Sequence, residues 1–357
     1  MDTDFLILGG GVAGLTAGAA LASLGRVEVW EAEAHLAHHA SGRSAALFEA
    51  RYGAAPVIAL NRASHAAHEA AGHLSPRGLM VVGLAGEEEG AERDVAEMEL
   101  EPLTPREARA RVPILSDAVT RAGWHGGAWD IDTNAVVQDA ARAVRASGGA
   151  VGTGLRAERI ARVPGGWRVA AGGREITARV LVNAAGAWAD VVAGMAGVEP
   201  IGLRPLRRSM ARLKAPGGHD VRGWPMLLGV GETWYAKPDA GAWIVSPAEE
   251  DPAEPHDAHA CDMVLAEGLD RYQRAVSEPV TRPVATWAGL RSFAPDRSLV
   301  LGPDPDEPAF VWCAAQGGYG FQTAPAASRF LADRVAGRAS ELDAGTQAAL
   351  APERLRR

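Results

Sequence analysis

The residues most clearly suited to chemistry stand within the first 31 positions of the chain. Gly9, Gly11 and Gly14 have the spacing GxGxxG, and Glu31 follows 22 residues after Gly9. Glycines at these positions permit a tight turn, let a pyrophosphate approach the backbone and allow a helix to pack closely on a strand. The Glu31 carboxylate is suited to accept hydrogen bonds from ribose hydroxyls and disfavours a phosphorylated ribose. The pattern predicts FAD or NAD rather than NADP.

The elements needed to position these residues follow one another in the required order. Residues 4–8 form an apolar run that predicts a buried strand, 15–24 are rich in Ala and Leu and predict a helix, and 26–30 predict a second strand. The unpaired amides at the start of such a helix attract an anion. The complete unit of strand, loop, helix, strand and acid therefore predicts dinucleotide binding, which a glycine motif alone would not.

Three later segments favour a flavin over a nicotinamide. Residues 38–48, HHASGRSAALF, combine small residues, hydroxyls and one guanidinium, which suit a pyrophosphate and a flat ring close to the backbone. The predicted strand 180–182 runs into AAGAW, and the predicted strand 310–315 runs into QGGYG and a helix at about 322–335. Each segment predicts another close approach of backbone to cofactor.

These segments together resemble a known family. GGGVAG, HHASGRSAA, VLVNAAGAWA, AGLRSF and AAQGGYGFQT occur in this order over nearly the whole chain. The order resembles the D-amino-acid oxidase-like flavoproteins and is most similar to their bacterial D-arginine dehydrogenase branch. The resemblance implies an α/β fold, in which a Rossmann-type FAD-binding domain joins a smaller α+β substrate domain built on an antiparallel sheet.

The resemblance also implies non-covalent FAD held along its whole length, with Gly318 counted among the catalytic residues as well. A helix dipole at the flavin end would stabilise negative charge on the reduced ring. The implied cofactor residues are Gly9, Gly11, Ala13, Gly14, Glu31 and Ala32 for the ADP half; Ser41, Arg43, Ser44 and Ala45 for the pyrophosphate and ring; Ala157, Ala185, Gly186 and Trp188 for the adenine side; and Gly289, Gly317, Gly318, Tyr319, Gly320, Gln322 and Thr323 towards the flavin end.

An amino-acid substrate would need a cation for its carboxylate, and a guanidinium matches a carboxylate with two parallel hydrogen bonds. Arg291 matches the family arginine in this role, although an interdomain ion pair is the competing interpretation. Arg208 and Tyr235 match further carboxylate-side positions, with Arg207 an equally charged neighbour of the first. Tyr52 matches a mobile tyrosine that closes over substrate, and a surface aromatic in a turn is its alternative.

The side-chain pocket departs from the D-arginine dehydrogenase pattern at two positions. Leu79 stands where enzymes selective for basic substrates carry a carboxylate, and Leu47 stands where an imidazole occurs. A cationic substrate side chain would lack a partner against leucine. The sequence therefore predicts a small or apolar D-amino acid.

The implied reaction is transfer of a hydride from the substrate α-carbon to the flavin, giving an imino acid and then a keto acid and ammonia. The electron acceptor, a quinone, a dye or dioxygen, stays open. His38, His39 and His125 are interpreted as structural, with a flavin link through His38 or His39 as a minor alternative. Other hypotheses are a glycine or sarcosine oxidase-like enzyme that uses dioxygen, an NAD-dependent dehydrogenase, and a flavin-binding protein without turnover.

Composition excludes several other classes. The 357 residues have a formal net charge of -8 and no long basic stripe, which argues against nucleic acid as a partner. Cys261 and Cys313 have neither disulfide-framework nor zinc-site spacing. No stretch approaches the ~18 uninterrupted apolar residues of a membrane span. These observations predict a cytoplasmic protein without a metal site.

The family fold implies a discontinuous division of the chain. The predicted FAD-binding domain comprises 1–75, 130–200 and 286–357, and the predicted substrate domain comprises 76–129 and 201–285. Five strand candidates punctuated by Gly and Pro, at 79–82, 210–213, 226–228, 233–236 and 242–245, predict the antiparallel sheet of the second domain.

Overall fold

The computed structural model describes residues 1–356. The α-helices are α1 (Val12–Leu21), α2 (Ala55–Ala70), α3 (Glu88–Glu97), α4 (Pro105–Arg111), α5 (Thr133–Ala146), α6 (Ala189–Ala196), α7 (Asp262–Ala275), α8 (Gly320–Ala336) and α9 (Ala344–Leu350). The first ten strands are β1 (Thr3–Leu8), β2 (Val27–Trp30), β3 (Leu47–Glu49), β4 (Leu74–Pro76), β5 (Leu79–Leu84), β6 (Glu101–Leu103), β7 (Val119–His125), β8 (Ala128–Ile131), β9 (Ala150–Gly152) and β10 (Arg159–Val163). The remaining strands are β11 (Gly166–Ala171), β12 (Arg174–Asn183), β13 (Arg204–Leu213), β14 (Met226–Gly229), β15 (Tyr235–Asp239), β16 (Ala242–Ser246), β17 (Asp251–Pro252), β18 (Ala285–Phe293), β19 (Val300–Pro303) and β20 (Phe310–Ala314).

The first large sheet has eight strands and a parallel centre. Strands β9, β2, β1, β12 and β20 lie side by side in that order and all run parallel. Strands β10, β11 and β19 extend the sheet by antiparallel pairs. The carboxyl ends of the parallel strands meet at one edge, where ligands of such sheets bind. This topology confirms the predicted Rossmann-type α/β fold.

Helix α1 packs against this sheet through small residues. A Cβ built on Gly18 would lie 3.1–3.2 Å from side chains of Ile7, Val29 and Val144, so the helix approaches β1, β2 and α5 more closely than a larger residue allows. The helix begins at Val12, directly after the glycine loop, rather than at the predicted residue 15. Its first amides therefore lie at the carboxyl edge of the sheet.

The second large sheet has nine strands. Its main order is β17, β13, β16, β15, β14, β5, β7 and β6, with β18 also paired to β13. All pairs are antiparallel except β5 with β14, which run parallel. One face packs on α4 and α7 around Trp243 and Tyr272. The other face carries Leu79, Met226 and Tyr235 and looks towards the first sheet.

The predicted domain boundary at residue 286 falls at the start of β18. This strand forms its hydrogen bonds with β13 of the nine-stranded sheet, from Ala285 opposite Arg212 to Phe293 opposite Arg204. A third sheet of β3, β8 and β4 uses residues 47–49, 128–131 and 74–76, which come from both predicted domains. The two large sheets are thus joined by strands as well as by connecting loops. Among residues 1–356, no helix combines the length and apolar character that crossing a bilayer requires.

The interface of α2 and α8 contains a hydrogen bond that replaces a missing helical one. Pro325 lies inside α8 and has no backbone N–H, so the carbonyl of Phe321 lacks its usual donor. His68 Nε2 lies 3.0 Å from that carbonyl oxygen and supplies the donor. Ser64 bridges the same helices, because its hydroxyl donates to the Thr323 carbonyl over 3.2 Å. These contacts fix the first turns of α8.

This arrangement makes stability depend on the charge of His68. Burial lowers the pKa of His68 to about 4. The folded protein keeps the ring neutral, whereas the unfolded chain binds a proton below about pH 6.5. The contribution of His68 is full above that value and is lost as the pH falls from 6.5 through 4, by about 3 kcal/mol at most. We expect His68→Gln to make the free energy of unfolding depend less steeply on pH between 6.5 and 4.5 in denaturant titrations.

The control is His65→Gln, which changes a half-buried histidine on the same helix that packs on Phe48 and Trp129. It should keep the wild-type slope. Equal slopes in wild type and His68→Gln would show that His68 is not the group that titrates.

Candidate cofactor and substrate site

One long cavity lies between the carboxyl edge of the eight-stranded sheet and the inner face of the nine-stranded sheet. Its walls run from the β1–α1 loop, past the ends of β2 and β12, to the start of α8 and the strands β13, β14 and β18. Most predicted site residues lie on these walls. A ligand in this cavity would contact both sheets at once.

The glycine loop forms one end of the cavity. Gly9 has φ +120°, and a Cβ there would lie 2.2 Å from the Ala184 carbonyl oxygen. A Cβ on Gly14 would lie 2.0 Å from the Gly9 carbonyl oxygen. The Val12 amide donates to Ser41 Oγ over 3.0 Å, which fixes the 38–44 segment beside the helix start. Backbone amides at this helix start can therefore receive a pyrophosphate.

Glu31 stands at the carboxyl end of β2 and is fixed by backbone donors. Its Oε2 accepts from the Gly10 amide over 2.6 Å, and its Oε1 accepts from the Glu33 amide over 2.9 Å. The side chain is buried but lines the cavity together with Ala32. An ionised carboxylate can accept about four hydrogen bonds, so acceptor capacity is left for ribose hydroxyls.

The predicted adenine side is also brought together. Ala157, Ala185, Gly186 and Trp188 line the cavity next to Glu31. A Cβ on Gly186 would meet nothing within 4 Å, so this stretch of wall is open. The structure adds residues that the sequence did not single out here, and the added lining residues are Trp30, Leu155, Arg156, Val191, Val192 and Met195.

The opposite end of the cavity has polar atoms without partners. Gln322 Nε2 and Ser292 Oγ are buried, and neither has a hydrogen-bond partner within residues 1–356. Gly317, Gly318 and Gly320 lie beside them at the start of α8. Buried polar groups are normally satisfied, so such atoms point to a polar ligand edge. These features fit FAD, whose pyrophosphate would lie at α1 and whose ring would lie towards α8.

Arg43 lines this part of the cavity, but its guanidinium bonds to other groups of the protein. Nη1 donates to the carbonyls of Ala258 and Ala288 over 2.9 and 2.8 Å, and Nη2 pairs with Asp257. Gly289 lies against its stem, because a Cβ there would lie 3.5 Å from Arg43 Cβ. Arg43 therefore connects the cofactor loop to the residues before α7, and Ser41, Ser44 and Ala45 are left to face the cavity.

Arg208 of β13 reaches the cavity and shares one carboxylate with Arg297. Its Nη2 donates to Glu250 Oε1 over 3.3 Å, and Glu250 also pairs with Arg297 over 2.8 Å. Burial, with repulsion from the neighbouring Arg291, lowers the pKa of Arg208. Arg207 is absent from the cavity wall and pairs with Asp251 over 2.6 Å. The structure thus distinguishes two arginines that the sequence could not.

Arg291 of β18 forms no ion pair with a carboxylate of residues 1–356 within 4.0 Å. Burial by itself would lower its pKa, but Tyr235, Tyr52 and Glu232 outweigh that effect and raise the pKa. Its guanidinium lies over Gly318, where a Cβ would stand 2.9 Å from Arg291 Cζ. A larger residue at 318 would displace the guanidinium from this position. Within residues 1–356, the competing interpretation of Arg291 as an interdomain ion pair has no carboxylate within 4.0 Å to support it.

Two tyrosines flank Arg291. Tyr52 lies in the turn after β3, where its OH donates to Glu232 Oε2 over 2.9 Å and its carbonyl accepts from Asn61 Nδ2 over 3.0 Å. Burial raises the pKa of Tyr52. The OH of Tyr235 donates to Met210 Sδ over 3.4 Å. The contact of Tyr52 with Glu232 lies at the cavity mouth, because Glu232 is exposed.

The side-chain pocket contains the two predicted leucines and an unpredicted carboxylate. Leu79 of β5 is 1% exposed, and Leu47 shares one face of β3 with Glu49. Glu49 Oε2 lies 2.7 Å from His125 Nε2. The Gly127 amide donates to His125 Nδ1 over 3.0 Å, so the ring proton of a neutral His125 is on Nε2, facing the carboxylate.

Three predicted cofactor residues lie behind the cavity wall. Gly14 packs on the Gly9 backbone, Tyr319 packs on Tyr52 with ring centres 5.5 Å apart, and the Thr323 hydroxyl donates to the Tyr319 carbonyl over 2.9 Å.

Several residues that line the substrate side of the cavity were not identified from the sequence. Many alternate along strands with predicted residues, as Met210 follows Arg208 on β13, so the two-residue period of a strand could have found them. The missed lining residues are Glu49, Met98, Met210, Met226, Leu228, Glu232, Ser292, Gln316 and Phe321.

Comparison with known proteins agrees with this architecture. The family model described as DAO, FAD dependent oxidoreductase, matches residues 4–334. Glycine oxidase from Geobacillus kaustophilus superposes with a TM-score of 0.83 and 22% identity, covering 97% of this chain and 98% of that one. L-alpha-glycerophosphate oxidase from Mycoplasma pneumoniae, a structure with FAD bound, gives 0.84 and 17% identity, covering 95% and 96%.

A curated relative is similar over part of the chain. The tRNA 5-methylaminomethyl-2-thiouridine biosynthesis bifunctional protein MnmC from Delftia acidovorans (strain DSM 14801 / SPH-1) is 35% identical over 144 residues. This match covers 40% of this chain and only 21% of that protein.

The site geometry predicts the effect of neutralising Glu31. Glu31→Gln replaces the acceptor of ribose hydroxyls by a group that is half donor, and hydrogen bonds to charged groups contribute about 1.5–3 kcal/mol. We expect the Kd for FAD to rise about tenfold or more, measured by the flavin fluorescence released when the holoprotein is diluted.

Glu28→Gln is the matched control, because Glu28 is a buried carboxylate of β2 that does not itself line the cavity, and glutamine keeps an acceptor for the Trp30 indole N–H. It should leave the Kd within about twofold. An unchanged Kd in Glu31→Gln would remove Glu31 from the cofactor site.

Proposed function

The chain belongs to the DAO family of FAD-dependent oxidoreductases, and we propose that it oxidises the carbon–nitrogen bond of a small or apolar D-amino acid. Its sequence resemblance to the D-arginine dehydrogenase branch supports the assignment to amino acids of D configuration. The unpaired guanidinium of Arg291, beside the start of α8 in the cofactor cavity, is the observation that carries the proposal.

An amino-acid carboxylate would supply the anionic partner that Arg291 lacks within the protein. A buried cation without a partner is costly, whereas a carboxylate binds a guanidinium by two parallel hydrogen bonds. Tyr235 and Tyr52 stand next to this position, and each could turn its one hydroxyl proton to the carboxylate in place of its present contact with Met210 Sδ or Glu232. Arg208 is already balanced by Glu250, so it contributes positive potential at a smaller net charge. The carboxylate is therefore the fixed end of the substrate.

Fixing the carboxylate also orients the reacting carbon. The Gly318 backbone lies against Arg291, and the α-carbon is one bond from the carboxylate, so it is held beside the start of α8. FAD, when bound, supplies the acceptor for the hydride of that carbon, and water converts the resulting imino acid into a keto acid and ammonia. The protein needs no general base if the amine binds in its neutral form.

The other end of the substrate meets mainly apolar side chains. Leu47, Leu79, Met226 and Leu228 form this wall. The carboxylate of Glu49 also reaches the wall; its Oε1 accepts from the Arg51 amide over 3.0 Å, whereas its Oε2 lies 2.7 Å from His125 Nε2 without hydrogen-bond geometry. Its acceptor capacity is thus partly used by the protein. This environment favours small or apolar side chains over cationic ones.

A glycine- or sarcosine-type amine is the second candidate. The same Arg291 would bind its carboxylate, and the apolar wall would stay uncovered. For a D-amino acid we expect a quinone or an artificial dye to support turnover better than dioxygen, by resemblance to the dehydrogenase branch, whereas the glycine or sarcosine oxidase-like alternative would use dioxygen. Cys261 and Cys313 are both free thiols, which is consistent with the cytoplasmic location we propose.

Anaerobic mixing of the holoprotein with D- and L-amino acids, glycine and sarcosine tests the assignment directly. Bleaching of the flavin absorbance by D-leucine or D-methionine, with keto acid and ammonia formed in equal amounts, is the expected result. Faster reduction by glycine or sarcosine would select the second candidate. Faster reduction by L-amino acids would reverse the stereochemical assignment, and no reduction by any of them would reject amine oxidation.

Removing the Arg291 charge should affect all substrates alike. Arg291→Met leaves the shared carboxylate without its charge-assisted contact, so we expect kcat/KM to fall by about 2–5 kcal/mol in transition-state terms for every amino acid. Steady-state kinetics on D-leucine, D-methionine, D-lysine and D-arginine would measure this. Arg207→Met, which removes an arginine outside the cavity, should change kcat/KM by less than about threefold. Losses confined to some substrates would show that Arg291 does not hold the carboxylate.

Changing Leu79 should alter selectivity rather than overall activity. Leu79→Glu places a carboxylate on the apolar wall, and we expect kcat/KM for D-arginine or D-lysine relative to D-leucine or D-methionine to rise at least about tenfold, or about 1.4 kcal/mol. Leu79→Gln has nearly the same size and polarity without the charge, and it should not produce this shift. An unmoved ratio in Leu79→Glu would mean that Leu79 does not face the substrate side chain.

A further inference from the structure

Residues 44–46 form a thin partition between two cavities. Ser44, Ala45 and Ala46 line the cofactor cavity on one side. The same three residues line a second cavity of about 420 Å³ on the other side, together with Asp130 and Lys237. Close packing normally fixes the position of a segment beside a ligand. Here both sides are partly open, so packing alone does not hold this loop.

The loop is also held in an unfavourable backbone conformation. Ala46 has φ +37°, in the left-handed region that non-glycine residues rarely adopt. The Ala46 amide donates to Ser44 Oγ over 3.1 Å, which tightens the turn. Such conformations persist only where surrounding contacts impose them. The contacts that impose this one should therefore be identifiable.

The principal contact is the ammonium group of Lys237. Its Nζ donates to the carbonyl of Ala45 over 2.8 Å and approaches that of Ala46 at 3.4 Å. Its third partner is the carboxylate of Asp130. Lys237 is only 6% exposed, and the three donors of its ammonium all have partners.

The backbone of Lys237 belongs to the nine-stranded sheet, and its partner Asp130 is held by Arg77. Lys237 belongs to β15, on the same face as Tyr235 two residues before it. Arg77 Nε donates to Asp130 over 2.7 Å, and Arg77 Nη1 donates to the Trp224 carbonyl over 2.8 Å. Burial lowers the pKa of Lys237, while Asp130 opposes that effect. Arg77 therefore fixes the position of Asp130, and Asp130 in turn fixes the Lys237 ammonium beside the loop.

We propose that Lys237 is a positioning residue that holds the partition 44–46 in the place that bound FAD requires. One strand, β15, then supports both the substrate site through Tyr235 and the cofactor site through Lys237. An internal ion pair of Lys237 with Asp130 that merely stabilises the fold is the competing explanation. The proposal concerns the cofactor and does not depend on which amine is oxidised.

The test compares Lys237→Met with Arg212→Met in the holoprotein. Arg212 pairs with Asp239 of the same strand, its Nε donates to Asp239 over 2.9 Å, and Arg212 itself lines neither cavity. Each variant therefore removes one ion pair from β15. We expect Lys237→Met to raise the Kd for FAD about tenfold in dilution measurements and to change the visible circular dichroism of the bound flavin. Arg212→Met should leave the Kd within twofold and the flavin spectrum unchanged.

The double variant Lys237→Met/Asp130→Asn keeps the test decisive if the single variant does not fold. It removes both charges of the pair, keeps an amide oxygen at position 130 that can still accept from Arg77, and likewise lacks the donor to the Ala45 carbonyl. We expect it to be folded by far-ultraviolet circular dichroism and to show the same loss of FAD affinity and the same altered flavin spectrum. A folded Lys237 variant with the Kd and flavin spectrum of Arg212→Met would overturn the positioning role and leave the ion pair as a purely structural one.

Discussion

The unpaired charge of Arg291 is the constraint on which the substrate site depends. The half-buried guanidinium faces the cavity without a carboxylate, with Tyr52 and Tyr235 beside it and Glu232 at the cavity mouth. Strand β18 brings Arg291 to this position through its pairing with β13, where Leu206 stands opposite it. Gly318 leaves the space that the guanidinium needs. The Arg291 charge therefore has no carboxylate partner in the protein, and an anionic ligand would neutralise it.

The cofactor half follows a different constraint, which is close backbone approach. The glycine loop, the end of β12 and the start of α8 all reach the carboxyl edge of one parallel sheet, so their positions follow from sheet topology. The substrate half depends on side chains that project from strands of a mostly antiparallel sheet. Substrate preference can therefore change at positions such as Leu79 or Met226 without disturbing the contacts of the dinucleotide.

The sequence predicted what depends on local pattern. The strand-loop-helix unit around Gly9, the position of Glu31 at the end of β2 and five of the nine strands of the second sheet were accessible from spacing and periodicity. It could not separate Arg207 from Arg208, because only the pairing of β13 decides which side chain faces the cavity. Glu49 was missed for a related reason. Its importance arises from a contact with His125, 76 positions away, that no local pattern reveals.

The distribution of charge along the cavity favours an amino acid over a simple amine or a simple acid. Arg291 provides a cation without a partner, while Glu232 provides a carboxylate at the mouth whose hydrogen bond is with a tyrosine hydroxyl rather than with a cation. An amino acid carries a carboxylate and an amino group separated by one carbon, so a single molecule could pair with both Arg291 and Glu232. A simple amine would leave Arg291 unsatisfied, and a simple acid would offer nothing to the acidic side. Under the proposed function, the arrangement would select for the two groups together, before the side-chain pocket contributes any preference among amino acids.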